Sequence, residues 1–238
     1  MQNEQVLTMI SGGRDSLLAA CLLIEDGYSV IPVTFDNGHI EGIKRVNKVY
    51  HTIEKKYLHK HTKHPDFKSY RQNIAMSVLD YTRIFWMQTT NELAKKYPNI
   101  KGYQVNCLCC KTAMYIHAIA TCKQFDIPYL ADGVRESQGF ITDSSEMIDR
   151  FKELCGVNNV TLLTPVNTLD DDWKRKRMLS DRGLPTKTFE PQCFLGCPLE
   201  NGGLTRNHKL ELVDFYDNEL RGRLQGDIDN LVKSKKWV

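Results

Sequence analysis

One short loop, Ser11-Gly12-Gly13-Arg14-Asp15-Ser16, constrains this chain more than any other feature. Before it runs Val6 to Ile10, an apolar stretch rich in β-formers. After it, Ser16 to Glu25 places Leu17, Leu18, Cys21, Leu22 and Ile24 on a broad helical face. Strand, glycine loop and helix in that order put the loop at the carboxyl edge of a parallel sheet, where such folds bind ligands. Adjacent glycines let the backbone approach an anion closely, and the helix N-terminus adds a favourable dipole. Ser11 and Ser16 can donate to phosphate oxygens, while Asp15 suits an N-cap or a Mg2+ ligand. An ordinary capped glycine turn is the bland alternative. The Gly-Lys-Ser/Thr ending of a Walker A loop is missing, which argues against a P-loop hydrolase.

The pattern continues as an α/β alternation. Gly27 ends the first helix, Tyr28 to Phe35 reads as a second strand, and Gly42 to Tyr57 as a helix. No strand is clear from Leu58 to Arg71, where His59, His61 and His64 fall among lysines; a solvated loop or a substrate lid both fit. Helical periods return over Tyr81 to Tyr97 and from near Lys111 to Asp126. Tyr129 to Ala131 and Val160 to Thr164 read as strands, Asp170 to Asp181 as a helix, and Pro185 to Gly203 as a long loop. His208 to Arg221 and Asp227 to Ser234 read as helices. This order predicts a doubly wound parallel sheet over residues 1–205 with a helical extension over 206–238. At 238 residues the chain suits one such domain with a small appendage. No apolar run is long enough to span a membrane, and the polar start lacks a secretory pattern, so cytoplasm is the expected compartment. A net charge of +3 says little about nucleic acid, but Lys174-Arg175-Lys176-Arg177 could meet phosphates or simply face solvent.

The loop resembles the Ser-Gly-Gly-x-Asp-Ser signature of the PP-loop ATP pyrophosphatase superfamily, whose fold is Rossmann-like. The resemblance implies cleavage of ATP between its α and β phosphates, with Mg2+, and activation of a substrate oxygen as an adenylate. It makes Ser11, Gly12, Gly13, Arg14, Asp15 and Ser16 the nucleotide-binding residues, with Asp132 and Gly133 beside them. Phe35 and Asp36, in Phe35-Asp36-Asn37-Gly38-His39, fall where that family borders adenine and ribose, although a plain turn explains Asp36-Asn37-Gly38 as well. Asp15 or Asp132 would meet Mg2+, and Arg14 and Arg135 would offset charge on the phosphates or form ordinary ion pairs.

Cysteines supply the second signal. Eight cysteines without a secretory pattern point to thiol chemistry or metal rather than a disulfide framework. Cys107 and Cys110 form a C-x2-C pair in what reads as a helix start, and Cys193 and Cys197 form a C-x3-C pair in the late loop. Three readings stand: zinc held by all four, an iron–sulfur cluster held by three, or a metal-free pair in which one thiol attacks and another resolves. The arrangement is similar to that of PP-loop enzymes that thiolate tRNA, which implies a late cysteine completing either a cluster or a catalytic pair. Cys110, Cys193, Lys111, Asp15 and Arg135 are then the candidate catalytic residues, with tRNA and a sulfur donor as partners. Cys21, Cys122 and Cys155 read as core residues.

A second likeness pulls elsewhere. Asp132-Gly133-Val134-Arg135, Gly139, Asp143, Leu163-Thr164-Pro165-Val166 and Gly183-Leu184-Pro185 resemble the latter half of 7-cyano-7-deazaguanine synthases. That likeness implies amidation and nitrile formation on a deazapurine, with ammonia as donor. Cys107 to Cys110 has no counterpart there, and Asp171 stands where that pattern has a lysine. A third possibility is a non-catalytic ATP-binding module.

Overall fold

The computed structural model describes residues 4–38, 40–41, 43–57, 71–88, 93–100, 102–136, 140–189, 192–193 and 205–234. Side chains are described for all of these except 40–41, 43, 85–88, 93–94 and 192–193. The strands are β1 (Gln5–Met9), β2 (Ser29–Asp36), β3 (Ile40–Glu41), β4 (Arg71–Asn73), β5 (Tyr129–Ala131), β6 (Thr161–Leu163) and β7 (Gln192–Cys193). The helices are α1 (Arg14–Glu25), α2 (Asn47–Lys56), α3 (Ala75–Gln88), α4 (Leu93–Lys96), α5 (Gly102–Gln124), α6 (Ser145–Gly156), α7 (Asp172–Asp181), α8 (Arg206–Phe215) and α9 (Arg221–Ser234).

Five parallel strands order as β4-β2-β1-β5-β6. The chain winds outward in one direction from β1 to β4 and in the other from β5 to β6, so strand order reverses between β1 and β5. That reversal opens a crevice at the carboxyl ends of the strands. The sheet is the doubly wound one that the sequence predicts.

Alternation along β1 and β2 feeds a core on each face of the sheet. Leu7, Met9, Ile31, Val33 and Phe35 join the side chains of α3, α5, α6, α8 and α9. Val6, Ile10 and Val30 join α1, α2 and α7. Pro32 sits inside β2 without disturbing it. Ser29 N–H donates to Glu4 O and Ile10 N–H to Val33 O, so the odd-numbered residues of β2 face β1. Pro32 therefore turns its missing donor toward the side where β4 pairs only with Thr34 to Asp36.

Several expectations change. β4 was not predicted, because Arg71-Gln72-Asn73 has no apolar alternation and only Gln72 is buried. Helix α3 starts at Ala75 rather than Tyr81, and α6 supplies the helix that carries Cys155, whose bounds the sequence reading did not give. Helix α5 begins at Gly102, so Cys107 to Cys110 lie inside the helix, not at its start. The two C-terminal helices are joined through a wide π turn, Tyr216–Leu220, with no loop between them. Leu212, Phe215, Tyr216, Leu220, Leu224 and Ile228 insert into the same core as β1 and α5.

Phe151 of α6 is central to that core. Its ring stacks on Tyr115 with centroids 4.0 Å apart and meets Tyr216 edge-on at 5.8 Å. Phe151→Ala should destabilise the fold by about 3–5 kcal/mol, the scale of emptying an aromatic site. Urea unfolding would read this as a lower midpoint at unchanged slope.

Candidate functional site

Gly12 has a φ of +91° and a main chain pressed against Phe189: its carbonyl accepts from Phe189 N–H at 2.9 Å. A Cβ at Gly12 would lie 2.9 Å from Phe189 O, so both backbone shape and space require glycine there. The serines close the loop on itself. Ser16 Oγ donates to Gly13 O at 3.0 Å and accepts from Ser11 N–H at 3.3 Å, while Gly13 N–H donates to Ser11 Oγ at 3.1 Å. Gly13 is the N-cap of α1 and brings no side-chain acceptor to the first-turn N–H groups. Such a helix end is suited to an anion.

The end of β5 lies against this turn. A Cβ at Gly133 would fall 2.7 Å from both Ser16 Cα and Ser16 N, so no larger residue fits without moving α1. Gly133 thus sets the distance between the two halves of the crevice.

Asp15 neither caps α1 nor stands open to a cation. Its carboxylate receives Arg135 Nε at 2.7 Å and Arg175 Nε at 3.0 Å. Arg175 is 3% exposed and also donates to Asp172 at 3.0 Å and to Leu169 O. Arg14 pairs with Asp172 at 3.0 Å and Lys176 with the same carboxylate at 2.7 Å. The hydrogen bond from Lys176, with Arg14 and Arg175 nearby, holds Asp172 down at about 2 despite some burial. The cation block is therefore split: Arg175 points in and pairs with Asp15 of the glycine loop, which the sequence pattern did not reveal.

A second charged group forms the floor. Lys111 Nζ lies 2.6 Å from Asp132 Oδ2, which also accepts from Tyr115 Oη at 2.9 Å. Burial pulls the Lys111 ammonium down, but Asp132 and Asp143 outweigh it and hold the lysine charged. Asp143 is 5% exposed, and burial raises its carboxyl to about 6 against the opposing pull of Lys111.

These groups line one cleft of about 450 Å3. Ser11, Gly13, Arg14, Asp15 and Ser16 form one wall; Cys107, Cys110 and Lys111 of α5 form another; Phe35, Asp132, Gly133 and Arg135 complete it. Asp36 is not among the lining residues. Its carboxylate accepts from Gly38 N–H at 3.0 Å and pairs with Arg71, so the place predicted for it beside ribose is taken up internally. Asn37 lines the cleft instead, and its Nδ2 donates to Cys110 Sγ at 3.2 Å. Reading Asp36-Asn37-Gly38 as a turn concealed this contact.

Among the cysteines, Cys109 is fully buried and its thiol is raised by that burial, as befits a core residue. Cys21, Cys122 and Cys155 are buried as expected, with the Cys21 thiol pushed up to about 11 and Cys155 to about 12 by burial. A helix N-terminus cannot activate Cys107 or Cys110, since α5 starts well before them. The Cys193 backbone pairs antiparallel with Ile40, just beyond Asn37. Its side chain, together with Cys197, His59, His61 and His64, lies outside the described residues. Among the described residues no group of three or more His, Cys, Asp or Glu could hold a metal; Cys107 and Cys110 supply two thiols to the cleft wall. Nor is any described helix long and apolar enough to cross a membrane.

The raised Asp143 carboxyl predicts a pH signature. Between its unfolded value of 3.8 and about 6 the folded chain holds the proton more tightly, so Asp143 stabilises the fold at low pH. That contribution is lost as pH rises through about 6. His117 opposes it: burial lowers this imidazole to about 4, so its contribution grows as pH rises over much the same range. The wild-type profile combines the two slopes, and the difference between wild type and Asp143→Asn isolates the falling one. Chemical unfolding from pH 4 to pH 7 should show the wild type losing stability relative to the variant as pH rises; a constant difference would remove the buried-carboxyl account.

A family model described as thiamine biosynthesis protein (ThiI) matches residues 1–173. No curated protein matches the chain. Among solved structures, the predicted subunit of a tRNA methyltransferase from Methanocaldococcus jannaschii is 19% identical. That match covers 77% of this chain and 90% of the other, at a TM-score of 0.43. The U34-tRNA thiolase NcsA from Methanococcus maripaludis, solved with its [4Fe-4S] cluster, is 16% identical. It covers 98% of this chain and 70% of the other, at a TM-score of 0.45. At such scores neither likeness carries weight for the chemistry of this chain. The family model spans most of the sequence, from β1 into the first turn of α7. With the glycine loop at the switch point of a parallel sheet, this chain belongs to the ThiI family of PP-loop enzymes.

Proposed function

We propose that this enzyme uses ATP to adenylate an oxygen of a tRNA base and then replaces that oxygen with sulfur. The observation that carries the reading is the shared cleft, where the phosphate loop, Lys111 and the thiols of Cys107 and Cys110 line one space. In this reading the first turn of α1 and Arg14 receive the β and γ phosphates. The substrate oxygen attacks the α phosphorus, and pyrophosphate leaves toward the helix N-terminus. Lys111, held charged by Asp132 and Asp143, offsets charge at the α phosphate. Mg2+ accompanying ATP would be met by Asp132, since both oxygens of Asp15 are engaged by arginines. Gly13, Gly133 and the ion-paired Asp15 set position, so little proton transfer is asked of the protein.

Sulfur then displaces AMP, which departs with the original oxygen. Cys110 is loaded as a persulfide by a persulfide donor, and its outer sulfur attacks the adenylated carbon. The Cys193 thiolate then attacks Cys110 Sγ, releasing the thiolated base and leaving a Cys110–Cys193 disulfide that an added thiol reductant reduces. Support for the pair comes from β7, whose pairing with β3 brings the Cys193 backbone near the segment that bonds Cys110. A zinc ion would instead be held by Cys107, Cys110, Cys193 and Cys197, or an iron–sulfur cluster by three of them, and either would supply a thiolate-bound centre for sulfur. Iron, sulfide and zinc analysis of an anaerobic preparation separates these routes: a cluster requires iron with sulfide, and the cysteine pair requires neither metal.

The activity test offers ATP, Mg2+, unmodified tRNA, a persulfide donor and a thiol reductant, with sulfide as the donor in a parallel arm for the metal-centred route, and nucleosides are read by mass spectrometry. A thionucleoside should appear, with one AMP and one pyrophosphate for each. Cys110→Ser should abolish it, and Lys111→Ala should slow AMP formation on the order of 10²- to 10³-fold, the scale for losing one preorganised stabilising group. AMP formed from a carboxylated deazapurine and ammonia, with none from tRNA, would overturn sulfur transfer in favour of amidation.

A further inference from the structure

Trp173 is 80% exposed, the most exposed large apolar side chain among the described residues. It stands in the first turn of α7, where Asp171 Oδ1 accepts from Trp173 N–H at 2.8 Å and from Lys174 N–H at 3.2 Å, fixing where the indole leaves the helix. Contacts of its neighbours bring the first turn of α7 beside the cleft wall. Arg14 lines the cleft and pairs with Asp172, the residue next to Trp173, while Arg175 reaches Asp15 from the inner face of the same helix. Lys174 and Arg177 face outward, Arg177 with a side chain 80% exposed and one helical turn beyond Trp173.

The acids of this segment are largely spoken for. Asp171 caps the helix, and Asp172 is shared among Arg14, Arg175 and Lys176. Asp170 and Asp181 bound the patch at its two ends, the latter 3.7 Å from Arg177 with both groups exposed. What remains between them is an exposed indole with Arg177 one turn along the same face and Lys174 adjacent to it. An indole in water stacks on a nucleobase of any sequence, and flanking cations take the adjoining phosphates.

We propose that Trp173, with Lys174 and Arg177, forms a docking platform on which an unpaired base of the acceptor RNA stacks beside the cleft. This rests on the reading of tRNA as acceptor. It also revises the role of the cation block: two of its residues, not four, face the polyanion, and stacking rather than charge dominates.

The test is a titration of fluorescently labelled, unmodified tRNA with the full chain, followed by anisotropy. Trp173→Ala should bind about tenfold more weakly, and Trp173→Phe, which keeps a ring, within about threefold of wild type. Replacing Lys174 and Arg177 together by Ala should lower the slope of log affinity against log salt by about 1.4, the value for two single-strand phosphates. Among Trp86, Trp173 and Trp237, Trp173 should account for quenching of intrinsic fluorescence by tRNA, so that Trp173→Phe abolishes it. Melting temperatures confirm that the variants fold, and the Phe variant keeps the test open should the Ala variant not. Equal binding by wild type and Trp173→Ala, with quenching retained in Trp173→Phe, would overturn the platform alone. A wild-type chain that does not bind tRNA would overturn the acceptor reading, and the platform with it.

Discussion

The geometry of the cleft depends on Asp15 being held between Arg135 and Arg175. Three parts of the chain meet at that carboxylate: the first turn of α1, the segment leaving β5, and α7. Arg175 is almost wholly buried, so removing its partner would strand a guanidinium in a poorly solvated place, a loss of about 3–5 kcal/mol for a buried pair. Each oxygen of Asp15 meets a different arginine, which fixes the carboxylate in rotation as well as position. Because Asp15 belongs to the phosphate loop, the same pairs hold the loop against both halves of the sheet. Coulombic attraction here does the orienting that α1, short and without a side-chain N-cap, cannot do alone.

The cleft floor follows a similar logic with the charges reversed. Asp132 draws Lys111 and Tyr115 of α5 to the end of β5, next to the glycine that allows α1 to approach. Two oppositely charged clusters therefore flank Gly133, one at the phosphate loop and one below it. Asp143 adds a second acid to a floor that already holds Asp132, and the resulting strain falls on its own proton. Lys111 gains what Asp143 loses, since both acids act to keep it cationic. Such preorganisation places charge before substrate arrives.

Local signals explain which parts of this were legible beforehand. The phosphate loop and β1 were clear because strand, glycine pair and helix are adjacent in sequence. Phe35, Asp132, Gly133 and Arg135 came from motifs that resemble those of known families, and the structure gathers them around the loop. Arg175 was not legible: in sequence it is one cation among Lys174, Lys176 and Arg177, and only the packing of α7 on α1 separates it. β4 was missed because a strand of Arg, Gln and Asn carries no apolar period. The start of α5 was missed because Gly102 to Asn106 offers no capping signal, and this shifted Cys107 and Cys110 from a helix end to its interior. That Asn37 and not Asp36 lines the cleft was not legible for a related reason, since which side chain of a tight turn faces the cleft is decided by tertiary neighbours such as Arg71 and Cys110.

The link between Gly12 and Phe189 is made by backbone atoms alone: Phe189 N–H to Gly12 O. The Phe189 ring lies under Lys48, with the ammonium 5.3 Å from its centroid, and takes no part in that bond. Almost any residue could stand at this position and still supply the hydrogen, proline being the exception. The bond that braces the glycine loop therefore asks only that the chain pass this point, although the Phe189 ring also packs against the core. The bond's contribution is written in chain path rather than residue identity, so a side-chain substitution survey would pass over it, whereas a change in the length of the segment leading to residue 189 would not.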